Sequence, residues 1–458
     1  MKPVLYVSHS KRGLFYYNDA SARYRCVFPA EALIAKGKQA HAIHFSQINK
    51  VTLSNYQKIV FHRPQYSVKL LRITKYLQKN NIEHWVDFDD LLFRPELSAS
   101  SAAVQSGKMS IALAKKHANS YQKALKLFVN CQVSTDALAE HIKYGSVKTT
   151  NIKVSYNRIP ERWTKQLSDK SLALGLTEKA KNRLDKKIIR YLPGTSHHKH
   201  DFAHIEKFLV NLLQENPSYH LNIIGDLDFH HNDFPADQIS HTAFQPYEQL
   251  PSLIDDSWII IAPLVNNIFN QCKSALKFWE SGVFGIPVIS SSLQDMERYK
   301  NEGLCISDNT SEWNAFIHSM ENLEFYEFAS TRALETSQQA IITQPPHDHR
   351  YIYLRLTSEF GPRWPADLIN PVINMNTRNL LLDTYNKLQK GEVSLTQNSN
   401  SILINSVEIS IENDQAKATH KIFRKLKKLV KSPKAFFIDS KFLKNINHAL
   451  AKISGISR

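Results

Sequence analysis

The feature that most narrows the fold is an alternation, run through twice, of short continuous apolar segments with longer amphipathic ones. In residues 1–160 the apolar segments are Val4–Val7, Lys58–His62, His84–Phe88, Leu127–Cys131 and Lys153–Tyr156, with helical periodicity at Val27–Gly37 and Val68–Asn80. A polar, lysine-rich stretch, Trp163–Lys186, reads as a bridge. The second run has strands near Ile188–Leu192, His220–Ile224, Ile239–Ala243, Trp258–Pro263, Pro287–Ser290 and Cys305–Ser307. Its helices fall near His204–Gln214, Tyr247–Ile254, Ser274–Val283 and Ser311–Leu323. A strand apolar on both faces must be covered on both, and helices returning between such strands make them parallel. The expected fold class is α/β, with two Rossmann-like doubly wound domains at 1–165 and 166–345. A helix at 346–370 is expected to pack back on the first of them, and 371–418 reads as a linker with one small hairpin over Ser401–Ile411.

Several classes of protein are disfavoured at once. No apolar run approaches the ~18 residues of a membrane span; the longest, near Trp258–Val265, is interrupted by Pro263. The start, MKPVLYVSHSKR, passes from a strand into a polar loop without the apolar core of a signal peptide, so a cytoplasmic protein is expected. Cys26, Cys131, Cys272 and Cys305 have spacings that fit neither a metal ribbon nor a disulfide framework. The 20 histidines form no HExxH or paired signature, so no metal is expected.

Charge is unevenly distributed. From Lys417 onward ten lysines and two arginines face one acid, Asp439, which puts +11 of the net +16 in the tail. A basic tail on a nearly balanced body is unlike a uniformly basic nucleic-acid binder, and no nucleic-acid partner is expected. Within 419–458, Ile422, Phe423, Leu426, Leu429 and Val430 share a helical stripe, and Phe436, Phe437, Phe442 and Leu443 follow. Basic amphipathic helices of this kind lie on anionic membrane surfaces; a partner protein or the chain's own body are the alternatives. Glycine is scarce, 13 in 458, so Gly194, Gly225, Gly282 and Gly285, at strand ends or beside a helix, mark a candidate ligand face.

The segment Ile261–Ser292 carries the most chemistry. A buried strand ends at Pro263, a loop with Asn266, Asn267 and Asn270 follows, and a helix opens near Lys273. Lys273 and Glu280, seven residues apart, share a helical face. A helix start plus a lysine suits a diphosphate, and the glutamate suits ribose hydroxyls; the alternative is that both decorate a solvent face. Upstream, Asn18–Arg25 places Arg23 and Arg25 at a helix start, where they either clamp an anion or follow a plain turn capped by Asp19 or Ser21. Asp87-Phe-Asp89-Asp90 ends one strand: its carboxylates suit a metal or a base, or simply a helix start. His62-Arg63 ends another strand and faces the same edge.

These residues carry a resemblance. The Lys273–Glu280 helix followed by Gly285-Ile-Pro287-Val is similar to the donor-nucleotide signature of GT-B glycosyltransferases, family 4, of the bacterial capsule and O-antigen type. Tyr191-Leu-Pro-Gly194-Thr195-Ser-His-His198-Lys-His-Asp201-Phe202 resembles that family's G-[ST]-x-x-H-x-x-D-F segment. Ile223-Ile-Gly225-Asp226 and Gln132-Val-Ser134-Thr135, with Tyr156-Asn157 downstream, match further segments in the same order. One departure stands out: Cys272 replaces the first glutamate of the family's usual pair.

The resemblance implies a nucleotide-diphosphate sugar as donor substrate, no permanently bound cofactor, and retention of anomeric configuration. It implies donor contacts from Gly194, Thr195, Ser196, Gly225, Asp226, Asn270, Lys273, Ser274 and Glu280. Lys273, Glu280, His198 and Asp89 are the implied catalytic groups, and Arg23, Arg25, His62, Arg63, Asp87 and Asp90 the acceptor contacts. The acceptor is then a glycan or lipid-linked glycan at the inner face of the cytoplasmic membrane. A sugar-phosphate transferase, a nucleotide-sugar epimerase and a non-catalytic scaffold with a decayed site at Cys272 remain open.

Overall fold

The computed structural model describes residues 2–165, 174–194 and 198–342, together with three short strands between 396 and 410. Its first half holds strands Val4–Ser8 (β1), Ala40–His44 (β2), Lys58–His62 (β3), Glu83–Phe88 (β4), Asn130–Val133 (β5) and Asn151–Val154 (β6). They form one parallel sheet in the order β2-β1-β3-β4-β5-β6. After Ile159–Pro160 (β7), the second half holds Ile188–Gly194 (β8), His220–Gly225 (β9), Ile239–Thr242 (β10), Ile259–Ala262 (β11), Val288–Ser290 (β12) and Leu304–Ile306 (β13). Their order is β10-β9-β8-β11-β12-β13, again all parallel. The chain then returns, as Ile341–Ile342 (β14) pairs with β7. Two doubly wound sheets are therefore present. Each reverses its strand order once, between β1 and β3 in one and between β8 and β11 in the other, and in such sheets the crevice at that reversal is where ligands bind.

Three local expectations change. Strand β2 carries no apolar run in the sequence because the histidines of Ala40-His-Ala-Ile-His look polar, yet His41 is fully buried with its Nδ1 2.9 Å from the Tyr56 hydroxyl. Strand β5 starts at Asn130 rather than Leu127, because Leu127 and Phe128 donate their N–H groups back to Ala124 and Leu125 and close the helix Ile111–Leu125. The supposed bridge contains a helix, Leu176–Lys186, built into the second half. Its Arg183 is 1% exposed and donates to the carbonyls of Asp255 (2.7 Å), Phe284 (2.9 Å) and Gly285 (3.0 Å). Those carbonyls follow the helix Leu276–Gly282 or precede β11, where the backbone has no partner of its own.

Gly282 and Gly285 prove to be packing positions. A Cβ on Gly282 would lie 2.1 Å from Ser337 Oγ, so glycine lets the helix Leu276–Gly282 press against the helix Leu323–Gln338. Gly285 turns the chain at φ +67°. The core of the second half packs Ile189, Leu221, Ile223, Ile259 and Ile261 from the sheet against Leu209, Leu212, Trp258 and Trp313.

The segment beyond Pro345 forms a unit of its own. It contains an antiparallel meander of Thr396–Asn398 (β15), Ser401–Ile404 (β16) and Val407–Ser410 (β17), so a third strand joins the single hairpin expected there. The helix expected at 346–370 and the basic tail at 419–458 lie outside the described residues. Among the described residues, no helix is long and apolar enough to cross a membrane.

Replacing Arg183 with methionine keeps the stem but strands several buried carbonyls. It should cost about 3 kcal/mol, read as a lower urea midpoint at unchanged slope.

Candidate active site at two sheet reversals

At the first reversal, β1 and β3 lie side by side with Ser8 opposite His62. His9 and Arg63 are the next residues along. Arg63 sits at φ 46°, a left-handed conformation uncommon for a side-chain-bearing residue. Its N–H donates to the Asp87 carbonyl at 2.8 Å, and its guanidinium spans Asp89 through Nε and Asp90 through Nη2. His62, 2% exposed, places Nε2 3.0 Å from Asp89 Oδ1. Burial pushes the Asp89 carboxyl up, but Arg63 and His62 outweigh it and hold the group well below the usual carboxylate range. An ionised carboxylate only accepts, so His62 Nε2 carries a proton and donates it to Asp89, leaving Nδ1 as the other ring nitrogen. That Nδ1 is buried without a hydrogen-bond partner among the described residues. His9 completes the group. It stacks on Phe45 at 4.1 Å, its Nε2 is likewise unpartnered, and burial with help from His44 and His62 holds it neutral.

The sequence singled out His62, Arg63, Asp89 and Asp90 here, and they do converge. His9 escaped it, although its place one residue past the first strand was a usable signal. Arg25 and Asp87 are elsewhere. They form a buried ion pair (2.9 Å), and Arg25 also donates to Asn157 Oδ1 at 3.2 Å. Arg23 is buried too, donating to the Tyr17 carbonyl at 2.9 Å with its guanidinium 4.2 Å above the Tyr247 ring. These three serve as internal braces. Asp19 accepts from the Ser21 N–H and so caps the helix that carries both arginines.

Beside the second reversal, on the β9 side of β8, Gly194 of β8 lies opposite Gly225 of β9, beyond an irregularity that follows Tyr191. Glycines at neighbouring strand ends let a ligand approach the backbone closely. Thr195 and Ser196 lie outside the described residues, and Asp226 is exposed. Just beyond, Asp201 is 4% exposed and acts as a hub. Its Oδ2 lies 2.8 Å from His198 Nδ1, while Oδ1 accepts from the Val265 N–H (2.9 Å) and Asn270 Nδ2 (3.2 Å). This ties the helix Lys199–Glu215 to the loop leaving β11. Asn270 Oδ1 is left buried and unpartnered.

The Lys273 segment departs from the expected single helix. A short turn, Ile268–Gln271, is followed by the helix Leu276–Gly282, with Lys273 between them. At the start of that helix the Ala275 N–H donates to Asp295 Oδ2 at 2.7 Å, so one amide there is taken by a carboxylate of the chain itself. Lys273 instead reaches the first half, with Nζ 3.8 Å from Asp90 Oδ1. That is beyond hydrogen-bond range, so among the described residues its donors are unspent. Glu280 also reaches the first half, but elsewhere. It accepts from the Tyr24 hydroxyl (2.8 Å) and from Lys277 Nζ (3.0 Å), and no ion pair joins it to Lys273. Two further contacts close the seam: Thr135 Oγ1 donates to the Cys272 carbonyl at 3.0 Å, and Asn157 Nδ2 to Ser274 Oγ at 3.0 Å. Burial pushes the Cys272 thiol up to about 12, so no thiolate replaces the missing glutamate.

The pH dependence follows from His9. Its folded pKa is depressed, so the unfolded chain binds more protons below about pH 6.5, and stability falls as pH drops through that window. The difference in urea midpoint between pH 7.5 and 5.5, roughly one unit either side of the ordinary histidine value, should narrow in His9→Phe. An unchanged difference would mean that His9 is protonated when folded.

No protein-family model and no curated protein matches the chain. Solved structures do. HepE of Anabaena, determined with UDP and glucose, is 12% identical and matches over 78% of this chain and 99% of its own, at a TM-score of 0.45. A glycosyltransferase from Rickettsia africae is 14% identical over 78% of this chain and 97% of its own, at 0.45. UDP-GlcNAc 2-epimerase from Neisseria meningitidis, bound to UDP-GlcNAc, is 12% identical over 74% and 100%, at 0.37.

Proposed function

We propose that the chain is a glycosyltransferase that moves a sugar from a nucleotide-diphosphate donor to a glycan or lipid-linked acceptor in bacterial surface polysaccharide assembly. The observation that carries this reading is the reach of Lys273 to Asp90. It joins the loop beside the second reversal to the strand ends of the first, so that a donor on one side and an acceptor on the other meet at one lysine.

In this reading the Gly194 and Gly225 backbone, Asn270 and Lys273 hold the diphosphate, with His198 fixed in place by Asp201. The bond from the anomeric carbon to the phosphate oxygen breaks and its electron pair leaves on the diphosphate. The acceptor oxygen bonds to that carbon and gives up its proton. A cation already held where charge develops is worth several kcal/mol in such sites. Glu280 contributes by holding the two halves together through Tyr24. The basic tail would keep the protein at the anionic inner membrane surface, near a lipid-linked acceptor.

Two stereochemical courses differ in where the proton goes. Retention follows from the sequence resemblance and sends it to the departing phosphate. The unpartnered Nδ1 of His62, whose Nε2 is held by Asp89, is the observation behind a second course, in which the ring, when neutral, takes the proton and configuration inverts. The anomeric configuration of the first-formed product, read by NMR, separates them: retention with an unaffected His62→Gln variant removes the base role.

A thermal-shift screen of UDP-, GDP-, dTDP- and CMP-sugars on the full chain tests the proposal. One diphosphate nucleotide should stabilise the protein, and Lys273→Ala should weaken its binding roughly tenfold. Release of nucleoside monophosphate would favour a sugar-phosphate transferase, and no response to any donor would favour a scaffold.

A further inference from the structure

Three residues past Arg63, the loop leaving β3 is tied to the helix Ile111–Leu125, where the Tyr66 N–H donates to the Ser120 carbonyl at 3.1 Å. Between them lies an open groove of about 700 Å³ lined by Tyr66, Lys115, Lys116, Asn119, Ser120 and Lys123, with Ala112 at its end. Lys116, Asn119, Ser120 and Lys123 recur at helical spacing and so form one face of the helix. The three lysines are exposed, and none makes an ion pair among the described residues. No carboxylate lines the groove. Three ammonium groups on one wall repel one another, and nothing on the wall offsets them.

We propose that this groove binds an acidic stretch of the acceptor glycan, with carboxylate or phosphate groups against the lysines and a sugar ring against Tyr66. The inference rests on the transferase reading, and it names that enzyme's acceptor as a polyanion. One feature favours a glycan chain over a membrane: the groove begins three residues from the Arg63–Asp89–Asp90 cluster, so a chain lying in it leads to the acceptor side of the site. Ile111 and Leu113, 56% and 44% exposed at the start of the same helix, are what a bilayer would engage instead.

The test uses the full chain and isothermal calorimetry with an oligogalacturonate, a neutral maltooligosaccharide of equal length, and phosphatidylglycerol vesicles. The acidic oligosaccharide should bind and the neutral one should not. The triple variant Lys115→Gln/Lys116→Gln/Lys123→Gln should weaken binding roughly tenfold, and Lys421→Gln/Lys425→Gln in the tail should leave it unchanged. The proposal is overturned if the oligogalacturonate does not bind, if the triple variant binds it as wild type does, or if only the tail variant loses it. Vesicle binding that depends on the three lysines, without oligogalacturonate binding, overturns it in favour of a membrane face. The nucleotide-sugar thermal shift, measured alongside, should be equal in wild type and triple variant. Lysine-dependent oligogalacturonate binding with no nucleotide-sugar response in either would leave the groove standing and the transferase reading refuted.

Discussion

The interaction on which the rest depends is a wide helical turn at Arg23–Val27, every residue of which is buried. Pro29 lies at the start of the following helix, Phe28–Ala35. It has no N–H to give the Arg25 carbonyl, and its ring crowds that carbonyl. The turn therefore widens to a π geometry, in which the Phe28 N–H reaches back to the Arg23 carbonyl. Widening the turn sends three successive side chains inward. Arg25 pairs with Asp87 under the first sheet, Tyr24 reaches Glu280 of the second half, and Arg23 lies over Tyr247. Breaking a buried pair of this kind costs several kcal/mol, which makes it a durable brace.

With that brace in place, the seam between the halves is polar and specific. Tyr24 and Tyr247 share a hydrogen bond at 2.9 Å, Tyr17 donates to Glu248 at 2.8 Å, and Trp163 Nε1 donates to the Glu280 carbonyl at 3.3 Å. The carboxylates at the end of β4 are then divided among different partners. Asp87 goes to Arg25, Asp89 to His62 and Arg63, and Asp90 to Arg63 with Lys273 at longer range. Among the described residues, no group of three or more histidine, cysteine or acidic side chains is placed to hold a metal ion. Among the described residues, Lys273 Nζ at this edge makes no hydrogen bond, and two imidazole nitrogens buried behind it, His9 Nε2 and His62 Nδ1, have no partner.

The two scarce-glycine pairs illustrate how one signal can have two causes. Gly194 and Gly225 end the neighbouring strands β8 and β9 beside the second reversal, where a ligand-face reading applies. Gly282 and Gly285 are equally conspicuous in sequence, but they exist for helix packing and a left-handed turn. Nothing in the spacing separates these cases, because the deciding atom, Ser337 Oγ, lies 55 positions along the chain from Gly282.

The sequence by itself determined the two parallel sheets, most of their strands, and the gathering of His62, Arg63, Asp89 and Asp90 at one edge. Each of those follows from local period and from the rule that strand ends share an edge. Only the tertiary structure decided that Arg25 and Asp87 neutralise each other, that Asp295 takes the Ala275 N–H beside the helix Leu276–Gly282, and that Lys273 and Glu280 look across the seam to different partners. The reason is physical: a charged side chain takes its role from whichever opposite charge the fold brings within a few ångströms, and that neighbour is seldom near in sequence.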